Sequence, residues 1–400
     1  MHDTSIGSSA RTRPPPFWLL AAVTMTGTAA LHIFIPALPA MARDFAVTQR
    51  TAQLAVTLYL IGMAFGQLVY GPLSDRFGRR PLLLCSLSLY LAGLVLAAAA
   101  PTIGVLLGAR VLQSLGSCGA LVLGRAMVRD VSGSADAARQ LAALGLVMGL
   151  TPALSPAIGG LVSVWFGWRA IFVLLSAIVL GQLVLVFRQL GETNRAPIEL
   201  PGFGAIIMGY VTLWRSPAYR RFTIAGSCAA TSLYAFFAIS PFLLTKVMHQ
   251  PPGSVGFYCL LTVIGMMAGT FIARQIARRV DIAHAARMGN MLCLGTALLL
   301  AILSLLGAIN LISLMLLMVI YAVGVGIVSP NTLAGLMNTH PERAGSASSL
   351  YGFLQMIFGA IFTLVVSFNY ISPEMPLAVV LLLASTAAAL SLRRATHIIA

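Results

Sequence analysis

The ten residues GPLSDRFGRR (71–80) stand between two long apolar stretches and decide how the rest of the chain is interpreted. The apolar stretch before them covers about 52–73, and the one after them covers about 81–100. A bilayer core of about 30 Å is crossed by about 20 apolar helical residues. We therefore predict that residues 71–80 form a charged turn between two membrane-spanning helices.

The composition of the whole chain also indicates a membrane protein. Of 400 residues, 59% are hydrophobic and 9% are charged, whereas soluble domains carry about 25% charged residues. So few charges cannot cover a surface that faces water. The formal net charge of +15 would suit a nucleic-acid-binding protein, but the basic residues lie between apolar runs and no soluble basic domain presents them. We therefore expect a lipid bilayer as partner and no nucleic acid.

Apolar runs long enough to span a bilayer occur twelve times, so the predicted fold class is an all-α membrane protein with 12 transmembrane helices. The first run is too long for a signal peptide and lacks a credible cleavage site, so it is interpreted as a span. The runs cover about 17–41, 52–73, 81–100, 102–124, 141–165, 168–187, 222–245, 254–273, 288–308, 311–333, 345–370 and 375–392.

The basic residues are unequally divided between the two sides of the predicted membrane. Alternate connections, beginning with the N-terminus, hold 20 Lys or Arg, and the other connections hold four, while Arg110 lies inside a span. Because cytoplasmic loops collect Lys and Arg, both termini are predicted to be cytoplasmic.

The longest polar stretch, residues 188–221, divides the spans into six and six. Within it, GAIIMGYVTLW (204–214) is apolar but too short to span, so it is either a helix in the membrane interface or a loop packed on the bundle. The predicted domains are a cytoplasmic leader (1–16), an N-terminal six-helix bundle (17–187), a cytoplasmic linker (188–221), a C-terminal six-helix bundle (222–394) and a cytoplasmic tail (395–400).

Three motifs resemble those of one transporter family. GPLSDRFGRR (71–80) resembles the G-x-L-x-D-R-x-G-R-[RK] signature of the major facilitator superfamily, and RVLQSLG (110–116) resembles its R-x-x-Q-x-x-G motif. SPAIGG (155–160) resembles the end of the antiporter signature, G-P-x-x-G-G, with Ser155 in place of glycine. That signature is associated with exporters, so the resemblance implies efflux.

Further stretches narrow the resemblance to the Bcr/CflA group of drug-resistance transporters, which are proton-coupled exporters of the bacterial inner membrane. They include IPALPAM (35–41), GWRAIF (167–172) and GSASSLYGFLQM (345–356). The resemblance implies two six-helix bundles related by a pseudo-two-fold axis, with the substrate cavity between them near the bilayer midplane. It also implies a monomer that exchanges a small molecule for protons.

The chain carries none of the common catalytic signatures. It has no Walker motif, no H-E-x-x-H and no nucleophile elbow, and its five cysteines lie in predicted spans without a C-x-x-C pair. We therefore expect no enzyme activity, cofactor or metal. A membrane sensor is a disfavoured alternative, because the sequence predicts no sizeable soluble output domain.

A conformational role is implied for the residues that match the motifs. In the first motif, glycine permits close helix contact and a tight turn, and the aspartate can cap a helix or pair with arginine. In the fifth span, Gly and Pro make a kinked, closely packed seam. The residues concerned are Gly71, Asp75, Arg76, Gly78, Arg79, Arg80, Pro152, Pro156, Gly159 and Gly160.

The group that would carry the proton departs from the family pattern. All ten Asp and Glu residues fall in predicted loops or at span ends. The resemblance implies an acid in the first span just before IPALP, where this chain has His32. Histidine has an ordinary pKa of about 6.5 and can exchange a proton near neutral pH. We predict that His32, together with Arg110 in the fourth span, couples transport to protons.

Three alternatives to this proton-coupling prediction stay open. A buried histidine is often a neutral, hydrogen-bonded structural residue. Asp130, at the end of the fourth span, is a second candidate proton carrier if it is not paired with arginine. A metabolite exporter or facilitator of the same fold would need no proton coupling.

Polar, aromatic and methionine side chains of the spans are the candidates for the cavity wall, because they offer hydrogen bonds or large adaptable apolar contacts. The alternative is that they face lipid or a neighbouring helix. Because the spans hold Arg110 and His32 but no predicted acid, we expect neutral or anionic antibiotic-like substrates. The candidates are Tyr59, Gln113, Met148, Tyr234, Phe237, Tyr258, Asn331, Asn338 and Gln355.

Overall fold

The computed structural model describes residues 16–131, 134–194, 202–277, 279–368 and 373–393. Apart from residue 16, the predicted leader (1–16) lies outside these ranges, as does the whole predicted tail (395–400).

Helices fill almost all of the described chain. Twelve helical segments are long and apolar enough to cross a membrane, which confirms the predicted all-α fold with twelve spans. The helices are α1 (Phe17–His32), α2 (Leu38–Asp44), α3 (Gln49–Phe77), α4 (Arg79–Ala98), α5 (Ile103–Val131), α6 (Ser134–Phe166), α7 (Arg169–Gln189), α8 (Phe203–Arg215), α9 (Pro217–Phe242), α10 (Val255–Ile276), α11 (Ile282–Leu305), α12 (Leu311–Thr339), α13 (Ala344–Val365) and α14 (Met375–Arg393).

The first span is broken in the middle, and its two parts are α1 and α2. A 3-10 turn, Ile35–Ala37, joins them. Pro36 has no backbone N–H to donate to the carbonyl of His32, so the α-helical pattern ends there. The break leaves His32 at the end of α1 and frees nearby carbonyl groups for other donors.

Buried apolar side chains form two large clusters, one in each six-helix bundle. One cluster draws mainly on residues 19–190 and the other mainly on residues 225–392. Ile35 of the first bundle packs within the second cluster, and Phe242 of the second bundle packs within the first. The two bundles are therefore separate cores that share a tightly packed boundary.

The two bundles are in direct contact at one end of the molecule. We call the end that carries Gly78 the motif face and the other end the opposite face. Near the opposite face, α6 and α10 cross so closely that a Cβ on Gly256 would lie 2.5 Å from the carbonyl oxygen of Pro156. In the same region Gln53 of α3 donates to the carbonyl of Ala238 in α9 at 3.1 Å. The opposite face is thus held together by direct contact between the bundles.

The linker contains a helix, α8, rather than an irregular loop. Leu213 on one side of α8 is fully buried against the second bundle. Tyr210 donates to the carbonyl of Leu68 in α3 at 3.3 Å. The other side of α8 exposes apolar residues, among them Met208 and Trp214. This helix therefore packs on both bundles and leaves an apolar stripe uncovered.

Candidate functional site

A cavity of about 420 Å³ lies between the two bundles. Both bundles contribute to its wall, and four methionines give it a soft apolar lining. Such a wall adapts to ligands of different shapes, with a few polar groups to orient them. The polar or aromatic lining residues are Thr28, His32, Gln67, Arg125, Tyr234, Phe237, Ser329, Ser348, Tyr351 and Gln355.

Four of the nine predicted substrate contacts, Met148, Tyr234, Phe237 and Gln355, lie on this wall. Met148 belongs to α6, Tyr234 and Phe237 to α9, and Gln355 to α13. Gln355 donates its side-chain amide to the hydroxyl of Tyr351 at 3.0 Å, which fixes both groups at the cavity surface.

His32 also faces the cavity. Its Nδ1 is 3.1 Å from the carbonyl oxygen of Thr28, and because a carbonyl only accepts, Nδ1 carries the proton in this contact. The imidazole lies between two rings of α9, with centroid distances of 6.0 Å to Tyr234 and 5.8 Å to Phe237. Among the described residues no carboxylate lines the cavity. In the neutral ring, Nε2 is left as the acceptor that can take up a second proton.

Arg110 does not line the cavity, although it was predicted to work beside His32. Its side chain is fully buried within the first bundle. It donates to the carbonyls of Ala55 at 3.2 Å and Ala30 at 3.4 Å, and to the Oε1 of Gln113 at 2.7 Å. Ala30 lies just before the break in the first span, so the guanidinium ties that break to α3 and α5. The geometry favours a structural role for this residue.

Tyr59 and Gln113, two predicted substrate contacts, belong to the same buried network rather than to the cavity. Both side chains are fully buried. The Tyr59 ring lies 4.2 Å from the guanidinium carbon of Arg110, and its hydroxyl is 2.6 Å from that of Ser117. Gln113 accepts from Arg110, as described above. Neither residue lines the cavity, because the neighbouring helices cover both side chains.

Three other predicted contacts also lie elsewhere. Tyr258 donates to Oε1 of Gln250 at 3.0 Å near the opposite face. Asn331 is buried and donates to the carbonyl of Ile327 in its own helix at 2.8 Å. Asn338 is exposed at the end of α12, on the motif face. None of the three lines the cavity.

The cavity wall also contains polar residues that the sequence did not predict, and most of them lie at the motif-face end. They include Gln67 on α3, Arg125 on α5, Ser348 and Tyr351 on α13, and Ser329 on α12. The apolar run of the fourth span stops at residue 124, so hydropathy predicts that Arg125 lies in a loop. The helix continues to Val131, so Arg125 lies on α5 and lines the cavity.

Arg79 is the centre of the ionic contacts at the motif face. Its guanidinium lies 2.7 Å from a carboxylate oxygen of Asp75 and 2.9 Å from one of Asp130, and it also contacts the hydroxyl of Ser74. These bonds join the end of α3 to the end of α5. Asp130 is therefore paired with arginine, which removes the second candidate proton carrier.

The turn of the first motif is held by a residue outside the motif. Gly78 has φ of +93°, a conformation that favours glycine. The carboxylate of Glu192 accepts from the backbone N–H groups of Arg79 at 2.9 Å and Arg80 at 3.1 Å, which lie in the first turn of α4. Glu192, rather than Asp75, therefore caps a helix N-terminus at this turn.

The remaining residues of the first motif have separate contacts. A Cβ on Gly71 would lie 3.4 Å from the hydroxyl of Ser349 in α13, an ordinary contact, so the approach of α3 to α13 does not require glycine here. Arg76 is exposed and lies 5.1 Å from the ring of Phe77. Arg80 donates to a carbonyl of α7 at 2.9 Å. The motif thus connects α3, α4, α5 and α7 within the first bundle and lies beside α13 of the second bundle.

The fifth span, α6, remains helical through both of its prolines. Pro152 lines the cavity, and the carbonyl of Pro156 forms the close crossing with α10. Gly159 packs against the carbonyl of Ile33, where a Cβ would collide. A Cβ on Gly160 would find its nearest neighbours at 3.7 Å, an ordinary contact. The seam therefore joins α6 to the broken first span and to the second bundle.

Comparison with known proteins identifies similar chains. The family profile of the Major Facilitator Superfamily matches residues 17–363. A chloramphenicol resistance protein of Pseudomonas aeruginosa is 30% identical over 88% of this chain and 82% of that protein. Multidrug resistance protein D of Escherichia coli is 27% identical over 85% of each chain. The crystal structure of a D-xylose-proton symporter has the same fold, with a TM-score of 0.74 at 14% identity over 93% of this chain and 96% of that one.

Proposed function

Because the chain belongs to the Major Facilitator Superfamily, we propose that it is an inner-membrane secondary transporter that exports small, antibiotic-like molecules in exchange for protons. The observation that carries this proposal is the cavity between the bundles, which combines methionine and aromatic contacts with the single imidazole of His32 among its described lining residues. The names of the resistance-protein relatives support efflux as the direction of transport.

The proposed orientation places the motif face in the cytoplasm, together with both termini. The support is the distribution of basic residues, because cytoplasmic loops collect Lys and Arg. In this orientation the cavity and the motif-face opening are on the cytoplasmic side, and the contact between α6 and α10 seals the periplasmic side. The described arrangement then corresponds to the state that takes up substrate from the cell.

We assign proton carriage to His32. In its neutral form the ring donates from Nδ1 to Thr28 and keeps Nε2 as a proton acceptor at the cavity. Protonation would place a cation between Tyr234 and Phe237, whose ring faces favour positive charge. A change of charge on the wall of the substrate cavity is what links proton binding to substrate binding.

The test is proton movement driven by substrate in proteoliposomes that hold the full chain. The variant is His32→Gln, with His284→Gln, an exposed residue on α11, as the matched control. We expect chloramphenicol-induced proton movement to fall to background in the first variant and to persist in the second. Full proton movement in His32→Gln would contradict the proton-carrier role.

A metabolite exporter or facilitator without proton coupling is the second candidate function, because among the described residues no carboxylate lines the cavity. Substrate accumulation that is unchanged when the pH gradient is collapsed would favour this alternative. The same proteoliposomes measure both outcomes.

A further inference from the structure

The wall of the central cavity carries positive charge without negative charge among its described residues. Among its described lining residues, Arg125 is the permanently charged one and no Asp or Glu is present. The ion pairs formed within the described ranges do not involve Arg125. Arg125 is exposed to the cavity space, so water or a ligand, rather than an acidic side chain, satisfies its guanidinium.

Arg125 lies where two cavities meet. A second cavity of about 360 Å³ opens at the motif face and is lined by the first motif and the start of α13. Gln67, Arg125 and Ser348 line both this cavity and the central one. We call these three residues the neck. A molecule that passes from the motif face to the central cavity moves past the guanidinium.

The donors of Arg125 are available to a ligand. Its contact within the bundle is a 3.4 Å approach of Nη2 to the sulfur of Met148, which is a weak acceptor. The side chain is exposed to the cavity space rather than packed. Arg110 provides the contrast, because its side chain is fully buried and donates to two carbonyls and an amide oxygen. Of these two arginines of α5, Arg110 is built into the bundle and Arg125 is open to the cavity at the neck.

We propose that Arg125 binds an anionic group of the transported substrate, a carboxylate or a group of the same charge, at the neck. The planar guanidinium matches a carboxylate with two parallel hydrogen bonds. The amide of Gln67 and the hydroxyl of Ser348 supply further donors beside it. This inference rests on the proposed function, and it ranks anionic substrates above neutral ones such as chloramphenicol.

The test compares chloramphenicol hemisuccinate, which is a carboxylate, with its methyl ester, which is neutral and of nearly the same size. Binding of both to the purified full chain is measured in a neutral detergent without anionic lipid, so that no lipid headgroup supplies the anion. We expect the wild type to bind the carboxylate at least about 10-fold more tightly, the effect of one charge-assisted hydrogen bond. In Arg125→Gln this preference should disappear, while binding of the ester changes less than about twofold.

Two further variants complete the test. Arg125→Lys keeps the charge but loses the planar fork, so it should retain part of the preference. Arg129→Gln removes a charge one turn further along α5 that lines only the second cavity, and it should reduce the preference less than Arg125→Gln does. Arg125→Met replaces Arg125→Gln if the latter does not fold.

A wild type that binds both compounds equally, or an Arg125→Gln protein that keeps the preference, would overturn the inference. Transport assays in proteoliposomes separate this failure from failure of the proposed function. A wild type that transports the ester but does not prefer the carboxylate contradicts only the role of Arg125. A wild type that transports neither compound contradicts both the inference and the proposed drug export.

Discussion

A single methyl group at Gly256 is predicted to push the two bundles apart at the opposite face. Its Cβ would lie 2.5 Å from the carbonyl oxygen of Pro156 and 2.6 Å from Cα of Ala157. Ordinary contacts between carbon atoms are about 3.5–4.0 Å, and both neighbours are backbone atoms that cannot rotate away. The helices must therefore separate by about 1 Å. Overpacking of this kind costs about 1–3 kcal/mol.

That cost applies only while the bundles are in contact at the opposite face, so Gly256→Ala should shift the conformational equilibrium. A difference of 1–3 kcal/mol corresponds to a shift of about 5- to 150-fold. In the proposed export cycle this contact forms and breaks, so we also expect slower export. The matched control is Gly160→Ala on the same seam, where the nearest atoms lie at 3.7 Å.

The assay is a distance measurement between spin labels on the opposite face. Labels on cysteines at Arg43 and Lys246 place one probe on each bundle, and both positions are exposed. Cys85, the exposed natural cysteine, is replaced first, and the other four are buried. Gly256→Ala should gain a population with a longer distance that Gly160→Ala lacks. An unchanged distribution, or the same change in both variants, would refute the steric argument.

Two further predictions concern the interior of the first bundle and the motif turn. Gln113→Leu leaves Nη1 of Arg110 with only the 3.4 Å contact to Ala30, so we expect the free energy of unfolding to fall by about 1.5–3 kcal/mol. Thermal unfolding in detergent measures this loss, and an unchanged melting temperature would speak against it. Glu192→Ala removes the cap of α4 and should cost about 1–2 kcal/mol, with faster hydrogen exchange confined to the amides of the first turn of α4. Faster exchange throughout the chain would argue against a local cap.

The spans could be predicted from the sequence because lipid offers the backbone no hydrogen-bond partners. Polar backbone groups must be satisfied within each segment, so long apolar runs become helices. The ends were less accurate, and Arg125 shows why. The apolar run ends at the first charged residue. The helix α5 nevertheless continues to Val131, because its last turns line a cavity and a packed interface rather than lipid.

The direction in which a polar side chain points was harder to predict. Tyr59, Gln113 and Arg110 are on helices that are apolar on most sides, so periodicity does not distinguish a cavity from a helix contact. His32 stands where the resemblance implies an acid, and it lines the cavity together with Met148 and Gln355. The contact of Glu192 with the first motif had no signal in the sequence, since the partners are 113 residues apart.

This separation has a consequence for biosynthesis. The motif turn is made early in translation, but its cap arrives only when the chain beyond the sixth span has emerged. Until then the amides of Arg79 and Arg80 have no partner on Glu192, and α4 begins with a frayed end. The motif turn therefore acquires its cap late in the synthesis of the first bundle. A gene divided after residue 194 would give a first half with its motif turn complete, whereas division before residue 192 would leave that turn loose.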